Sequence, residues 1–283
     1  MRANALSTLT RTLSPDPFAR SHAPMQIHPL HPAFAAEVAG LDLATPLDAP
    51  TLEVLHDAFL EHAVLLFRGQ RLSPAAQSAF AAGLAAVEAP LLDRRSLLLP
   101  PPLRVVAGIP EGEAPPGAAW HADHTHDAEP SLACLAHAPA AEATEIAFAD
   151  QRAALALLPA SLRRRVEELR AEHAHHGRLA EHPVIRSHPV TGEGALFVNP
   201  AFTRRILNLP AGESARLLDA LFAAATAPAV TWRHAWRPGD LILWDNRTVL
   251  HTGTAADALQ RVRIEGDRPL GLRALEMPWV VAG

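Results

Sequence analysis

Two short segments far apart in the chain limit the folds that this sequence can adopt. The first is WHADHTHD, residues 120–127, and the second is GDLILWDNRTVLH, which ends at His251. His251 follows His121 by 130 residues, so any site that uses both segments requires a fold with many long-range contacts. Together they offer two imidazoles, of His121 and His251, and the carboxylate of Asp123.

His121 and Asp123 are spaced for a shared metal ion. In an extended strand the side chains of residues i and i+2 point to the same side, so both could face one cavity while Ala122 points away. With His251 they would place two imidazoles and one carboxylate on one face of an ion, as in non-heme Fe(II) oxygenases. The chain has 16 histidines, however, so a histidine-rich loop without a metal is the alternative for the motif alone.

Composition favours one globular domain. At 283 residues the chain can form a single large β-centred domain, with 49% hydrophobic and 19% charged residues. The formal charge of −5 and the lack of a basic tract argue against a nucleic-acid-binding protein, and residues 1–24 contain no apolar stretch long enough for a signal peptide or a membrane helix. The single cysteine, Cys134, excludes an internal disulfide and fits a cytoplasmic protein in which it fills the core. Residues 1–24 are expected to be a disordered extension of the domain at 25–283.

Hydrophobic periodicity places several elements. Residues 48–62 predict a helix capped by Asp48, residues 63–67 a buried strand, and the segment from Ser73 a second helix opened by Ser-Pro. Residues 150–158, 160–173 and 217–225 also have helical spacing. The histidine-rich stretch 173–182 is interpreted as a solvated loop or lid, because it lacks regular ligand spacing. His124 and His126 have the opposite strand parity to His121, so they are expected near the site but not as ligands.

A set of sequence blocks resembles a known family, the taurine dioxygenase and 2,4-dichlorophenoxyacetate dioxygenase group of Fe(II)/2-oxoglutarate-dependent oxygenases. The blocks occur in the family's order over about residues 26–270: EVAGLDLATPL, HAVLLFRGQ, WHAD, FADQRAALALLP, HPVIRSHPVTGEGALFVNPAFTRRI, WRPGDLILWDNRTVLH and RIEGDRP. The resemblance implies a mainly β double-stranded β-helix, or jelly-roll, with helical decoration. It also implies a helical or lid insertion near 150–182, which the family uses in assembly, so a homo-oligomer is a further expectation.

The resemblance implies that His121, Asp123 and His251 are both the catalytic and the metal-binding residues. With Fe(II), such enzymes use 2-oxoglutarate and O2 to hydroxylate a small, often anionic substrate, and they release succinate and CO2. Halogenating relatives have a small residue at the second ligand position. The carboxylate of Asp123 therefore indicates oxygen insertion.

The cosubstrate residues transfer less directly. The family binds the far carboxylate of 2-oxoglutarate with an arginine ten to fifteen residues beyond the distal histidine, and Arg261 and Arg263 are the arginines in that window. The family usually has two arginines four apart there, but this chain is about five residues shorter. We expect Arg261 to bind 2-oxoglutarate, with Arg263 as the alternative, and the remaining arginine could bind a substrate anion.

The family also contacts 2-oxoglutarate through a threonine four residues before the Asp150 position. Ile146 stands there, while Thr144, two residues earlier, would share its strand face. If Thr144 does not restore the contact, loss of one hydrogen bond should weaken 2-oxoglutarate binding by roughly 1 to 1.5 kcal/mol, about tenfold. Phe197 and Phe202 match a segment that lines the family's substrate pocket, with core packing as the alternative.

Two other functions remain open on sequence grounds. A catalytically degenerate member could keep the three ligands and bind a metal and a small molecule without turnover, which Ile146 and the shortened arginine segment would permit. A cupin-like enzyme could use the same ligands and O2 without 2-oxoglutarate. Succinate release and O2 uptake distinguish these alternatives from the dioxygenase.

Overall fold

The computed structural model describes residues 24–93, 103–107, 119–140, 145–253 and 259–272. Residues 1–23 of the expected N-terminal extension, and Thr144 of the expected cosubstrate contacts, lie outside the described residues.

Within these residues the chain forms sixteen strands and five α-helices. The strands are β1 (Gln26–Pro29), β2 (Ala36–Ala39), β3 (Val64–Phe67), β4 (Val105–Ala107), β5 (Ala133–Ala138), β6 (Glu145–Asp150), β7 (Arg170–His175), β8 (Arg178–Pro183), β9 (Ile185–Ser187), β10 (Gly194–Leu196), β11 (Thr203–Ile206), β12 (Thr231–Ala235), β13 (Asp240–Asp245), β14 (Val249–Gly253), β15 (Gln260–Ile264) and β16 (Leu270–Gly271). The helices are α1 (Ala49–His62), α2 (Pro74–Asp93), α3 (Gln151–Leu157), α4 (Ala160–Val166) and α5 (Ala211–Ala225).

Two sheets enclose the central core. The larger has the strand order β1-β2-β3-β13-β5-β15-β4, and the smaller has the order β12-β6-β14. Side chains from both sheets form one buried cluster between them, which includes Ile242 and Trp244 of β13 and Ile146 and Phe148 of β6. Antiparallel sheets packed face to face around a common core are the architecture of a jelly roll. The predicted jelly-roll core with helical decoration is confirmed.

Helices α1 and α2 cover the outer face of the larger sheet. The Asp48 carboxylate accepts a hydrogen bond from the Thr51 amide and caps α1, as the sequence predicts. Leu55 of α1 and Phe80 of α2 pack in one cluster with Val262 of β15. By length and composition Pro74–Leu92 of α2 could cross a membrane. The helix instead packs on the sheet, and its Gln77 amide donates to the Gln260 carbonyl at 3.0 Å.

A buried charge network fixes the connection between β13 and β14. Asp245 accepts hydrogen bonds from the Arg247 guanidinium at 2.8 and 2.9 Å and from His188 Nε2 at 3.0 Å. Arg247 also donates to Glu88 of α2 at 2.6 Å, and Glu88 contacts His56 of α1. All five side chains are buried, so each charge depends on its partners for compensation. The network anchors the segment that leads to His251.

The helical prediction for residues 160–173 is wrong beyond Val166. The chain enters β7 at Arg170, and β7 pairs with β8 over the register from Arg170–Pro183 to His175–Arg178. The histidine-rich stretch 173–182 is therefore mostly a β-hairpin and not a solvated loop. His173 and His182 are buried because they face the same side of the hairpin, toward Thr125.

Candidate metal centre and cosubstrate site

His121 and His251 face each other across an isolated antiparallel bridge. The His121 amide donates to the His251 carbonyl at 3.0 Å, and the His251 amide donates to the His121 carbonyl at 2.8 Å. After His121 the chain does not continue as a strand but turns at residues 123–126, with His124 at a φ of 62°. The expectation that His121 and Asp123 share one strand is wrong, yet the turn still brings Asp123 to the two histidines.

The three predicted ligands meet at one point. Asp123 Oδ1 lies 3.5 Å from His121 Nε2 and 3.7 Å from His251 Nε2. The three ligand atoms lie within 4.8 Å of one another. Both imidazoles are buried, and the Asp123 side chain is 14% exposed. Among the described residues this is the one group of three or more histidine, cysteine or acidic side chains close enough to share an ion.

The protonation states of these side chains suit a metal ion. The Nδ1–H of His121 donates to the Ala119 carbonyl at 2.9 Å, which leaves the lone pair of Nε2 free to coordinate. Burial, together with His121 and Arg261, holds the pKa of His251 well below its usual range, so its ring is neutral. Burial opposes ionisation of Asp123, but the neighbouring His251 and His121 hold the pKa of this carboxyl well below its usual range.

The unpartnered atoms agree with a metal site. His121 Nε2 and both ring nitrogens of His251 are buried without a hydrogen-bond partner in the described part of the chain. Buried polar nitrogens normally have a partner, because an unsatisfied one costs roughly 1 to 3 kcal/mol. An ion between Asp123 and the two Nε2 atoms would satisfy both. Two imidazoles and one carboxylate are also the donor set of non-heme Fe(II) sites.

Aromatic side chains hold the two imidazoles in place. The His251 ring packs against Trp244 at 5.0 Å and Phe148 at 6.1 Å between centroids. Phe202 meets the His121 ring edge to face at 5.8 Å. Phe202, expected in the substrate pocket, therefore lies beside the metal ligands. Phe197 lies elsewhere, with its ring 4.9 Å from the Arg186 guanidinium carbon and 5.5 Å from the His182 ring.

Two residues near Asp123 were not predicted from the sequence to act on it. The Asn246 side chain accepts a hydrogen bond from the Asp123 amide at 2.7 Å and donates to the Asp123 carbonyl at 2.8 Å. Burial, together with the nearby Asp123 carboxylate, raises the pKa of the Cys134 thiol, which was expected only to fill the core, well above its usual range. The position of Asn246 within WDNR was the available signal for the first, whereas no sequence pattern connects Cys134 with Asp123.

Strand register places the two candidate arginines at different depths. Arg263 is paired with Cys134, and Cys134 is paired with Trp244, which contacts His251. Arg261 is paired with Ala136, two residues further from the Asp123 turn along the strands, or about 6.6 Å. Both arginines are partly buried, and Val262 between them packs on the other face of the sheet.

Ile146 lines the same interior as the arginines. It is buried in the central cluster and paired with Gly253, two residues beyond the pair formed by Phe148 and His251. A Cβ at Gly253 would lie 2.6 Å from the Glu145 carbonyl oxygen and 3.0 Å from the Ile146 Cα, so only glycine fits this approach. Ile146 thus presents an apolar surface where the family resemblance predicts a threonine.

A cavity of about 500 Å³ adjoins the Asp123 turn. The residues that line it include Asp127, Ser131, Arg178 and Arg263. The buried Nε of Arg263 has no hydrogen-bond partner among the residues described. The cavity therefore gives a ligand access to Arg263.

Comparisons with known proteins agree with this geometry. Residues 26–266 match the family described as "Taurine catabolism dioxygenase TauD, TfdA family". An (S)-phenoxypropionate/alpha-ketoglutarate-dioxygenase of Sphingobium herbicidovorans is 32% identical over 278 aligned residues, which cover 85% of this chain and 95% of the relative. The alpha-ketoglutarate-dependent 2,4-dichlorophenoxyacetate dioxygenase of Cupriavidus pinatubonensis is 31% identical, with coverage of 83% and 93%.

A solved structure shows the same architecture. The crystal structure of a taurine dioxygenase from Burkholderia xenovorans superimposes with a TM-score of 0.71 at 27% identity, and covers 87% of this chain and 93% of that protein. The predicted family resemblance and the predicted oxidoreductase class are confirmed. The fold, the three converging ligands and the match over most of the chain establish that this protein belongs to the TauD, TfdA family of 2-oxoglutarate-dependent dioxygenases.

Proposed function

We propose that this protein binds Fe(II) through His121, Asp123 and His251 and uses 2-oxoglutarate and O2 to hydroxylate a small organic anion. The convergence of the three ligand atoms within 4.8 Å carries the proposal. When bound, the iron and 2-oxoglutarate supply the oxidation, in which the oxo acid is converted to succinate and CO2 while one oxygen atom enters the substrate. The protein supplies orientation and an environment with little water.

The protein's own residues prepare the ligands for the ion. His251 is neutral, Asp123 is ionised, the Ala119 carbonyl accepts from Nδ1 of His121, and the backbone bridge fixes the two histidines relative to each other. Ligands already in the correct protonation state and position bind a metal without the cost of ordering them. No side chain needs to act as a general base, since the bound iron and 2-oxoglutarate would supply the oxidation.

Arg261 is the residue that we propose to hold the far carboxylate of 2-oxoglutarate. Arg261 pairs with Ala136, which lies two residues, or about 6.6 Å, further along β5 from the Asp123 turn than Cys134. A five-carbon diacid that contacts the metal with one end spans a comparable distance. Arg261 also contributes to the lowered pKa of His251, which supports its proximity to the centre. Its planar guanidinium suits two parallel hydrogen bonds to a carboxylate.

Ile146 would then replace a hydrogen bond by apolar contact along the cosubstrate. The contact expected from Thr144 stays a prediction. Without either hydroxyl, binding of the far carboxylate would rest mainly on Arg261, and this dependence makes Arg261 a sensitive point for mutation.

Arg263 and the adjoining cavity are the proposed substrate side. Arg263 lies level with the residues around the metal ligands and borders the cavity of about 500 Å³ next to Ser131. The two related dioxygenases are named for phenoxypropionate and 2,4-dichlorophenoxyacetate, which are both carboxylates. A carboxylate substrate would pair with Arg263 while Phe202 shields the His121 side of the pocket. Phe197 would contribute only indirectly, through Arg186.

We further propose that the enzyme acts in the cytoplasm and assembles as a homo-oligomer. The support is the single cysteine and the family resemblance. Size-exclusion chromatography with light scattering tests the assembly.

Anaerobic titration of the Fe(II)-loaded protein with 2-oxoglutarate tests the proposed function. Chelation of the ferrous ion by the oxo acid should produce a weak visible charge-transfer band that His251→Ala lacks. The exposed His28→Ala is the matched control and should keep the band. Admission of O2 with a panel of aryloxy carboxylates should then release succinate.

Each of the other two functions predicts a different result. A band without succinate release for any substrate, and without slow uncoupled turnover, would favour the degenerate binder. O2 uptake that is independent of 2-oxoglutarate would favour the cupin-like enzyme. Failure of the protein to bind Fe(II) would contradict the proposal itself.

A further inference from the structure

We propose that Asn246 is a positioning residue for the metal centre and that it acts through Asp123. This inference rests on the proposed Fe(II) site and adds a residue to which neither the ligand pattern nor the family resemblance assigned a role. Asn246 is 1% exposed and lies directly after β13, five residues before His251. Its side chain reaches across to the turn that carries Asp123.

The carboxamide of Asn246 satisfies both polar groups of the Asp123 backbone. Its Oδ1 accepts from the Asp123 amide at 2.7 Å, and its Nδ2 donates to the Asp123 carbonyl at 2.8 Å and to the Ser131 carbonyl at 2.9 Å. A group that accepts one hydrogen bond and donates two must be a carboxamide, since a carboxylate only accepts and a hydroxyl has one hydrogen. The pattern also fixes which atom of the amide is the oxygen.

These bonds replace the strand pairing that Asp123 lacks. The chain turns at Asp123, so the ladder that begins at His121 does not extend to it. In the described part of the chain, the Asp123 backbone forms its hydrogen bonds with the Asn246 side chain. The direction of the Asp123 side chain therefore depends on the Asn246 amide.

Asn246 is itself held firmly. Its own amide donates to the Leu132 carbonyl at 3.0 Å, and the preceding Asp245 is fixed by Arg247 and His188. The segment between β13 and β14 thus leads along the chain to His251, and through the Asn246 side chain it also holds Asp123. This segment therefore positions two of the three proposed ligands, His251 and Asp123.

Loss of Asn246 should release Asp123 while the two histidines stay paired. Removal of outer partners of metal ligands typically costs 10- to 100-fold in metal affinity or activity. We expect Asn246→Ala to weaken Fe(II) binding within this range. Asn246→Asp has nearly the same shape but places an oxygen against two carbonyls. It should therefore weaken Fe(II) binding at least as much as the alanine does.

The experiment is a double-mutant cycle on anaerobic Fe(II) affinity, with Asn246→Ala, Asp123→Ala and the double variant. If Asn246 acts through Asp123, its replacement should change Fe(II) affinity in the wild type but by less than twofold in the Asp123→Ala background. Gln151→Ala is the matched control, because Gln151 is a buried amide whose side chain donates to the carbonyls of Ala149 and Ala225 and not to a proposed metal ligand. It should change Fe(II) affinity by less than twofold.

The possible outcomes separate the two proposals. A folded Asn246→Ala protein with wild-type Fe(II) affinity would overturn the role of Asn246 and leave the proposed function standing. An equal loss of affinity with and without Asp123 would also overturn it, since Asn246 would then act by another route. If Asn246→Ala does not fold, Asn246→Asp provides the same comparison. A wild-type protein that binds no Fe(II) would contradict the proposed function, and this inference with it.

Discussion

His121 and His251 are direct cross-strand partners, although 130 residues separate them in the chain. Their backbones exchange two hydrogen bonds of 3.0 and 2.8 Å, and their rings lie 4.1 Å apart between centroids. This bridge sets the spacing of two metal ligands through the backbone, before any ion binds. The two backbone hydrogen bonds therefore both stabilise the fold and position two ligands of the proposed Fe(II) site.

Replacement of His251 by alanine should abolish Fe(II) binding and turnover but preserve the fold. The backbone bridge does not depend on the imidazole, and neither ring nitrogen has a partner among the described residues whose loss would add to the cost. The checks are anaerobic Fe(II) titration, succinate release and circular dichroism. Succinate release at the wild-type rate would refute the ligand assignment.

Arg261 and Arg263 should respond differently to mutation. Arg261→Ala should raise the KM for 2-oxoglutarate about 100-fold, because charge-assisted hydrogen bonds contribute roughly 1.5 to 3 kcal/mol each. Arg263→Ala should leave this KM within a few-fold of the wild type and raise the KM for the organic substrate instead. Steady-state kinetics with each reactant varied in turn distinguishes the two. The reverse ranking would show that Arg263 binds the cosubstrate.

The three metal ligands could be predicted from the sequence, but the contacts that position Asp123 could not. His121, Asp123 and His251 stand in short motifs whose spacing reflects the chemistry of one ion, so local patterns suffice. The turn at Asp123 breaks the strand from which its orientation was predicted, and Asn246 compensates through contacts over a separation of 123 residues. Long-range side-chain contacts of this kind leave no periodic signal.

The histidine hairpin shows the same limit for the fold. Residues 170–173 continue a helical pattern of apolar and charged residues, but pairing with β8 overrides it. His173 and His182 look like surface residues by type, yet Thr125 provides hydrogen bonds for both, so they are buried. By contrast, the capped helix α1 was predictable because its cap and its apolar spacing are local.

Glu88→Gln should destabilise the protein by about 3 kcal/mol. Glu88 is buried against Arg247 and His56, and removal of one partner from a buried ion pair typically costs 3 to 5 kcal/mol. Asp245 still pairs with Arg247, which places the expected value at the low end. Urea unfolding at pH 7 measures the change.

Glu145→Gln is the matched control for Glu88→Gln. Glu145 pairs with Arg233 at the surface, where an ion pair contributes at most about 1 kcal/mol. Equal losses of unfolding free energy in the two variants would show that burial of the Glu88 network has no special effect. Burial opposes ionisation of Glu88, yet Arg247 and His56 lower its pKa to about 2. Its contribution should therefore be full above about pH 4.5 and decline as the pH falls toward 2.

Because its pKa is lowered in the folded protein, His182 should reduce the free energy of unfolding in mild acid. Its Nε2–H donates to the carbonyls of Thr125 and Asp127 at 2.9 Å each, on the turn that follows Asp123. Burial, with Arg186 and Arg170 nearby, lowers the pKa of His182 from 6.5 to about 4, against the two carbonyl contacts. Between these values the unfolded chain binds a proton that the folded chain does not. The free energy of unfolding should therefore fall, by up to about 3 kcal/mol, as the pH drops from 6.5 to 4.

His182→Gln isolates this contribution from the other titrating groups. The glutamine amide can place an N–H near the position of Nε2 but cannot take up a proton in this range. At pH 7 the variant should be somewhat less stable than the wild type, because the amide fits the two carbonyls less well. At pH 5 the difference should shrink or reverse, since only the wild type loses stability through His182. Urea unfolding of both proteins at the two pH values measures the difference, and an equal difference at both would show that His182 does not carry the acid sensitivity.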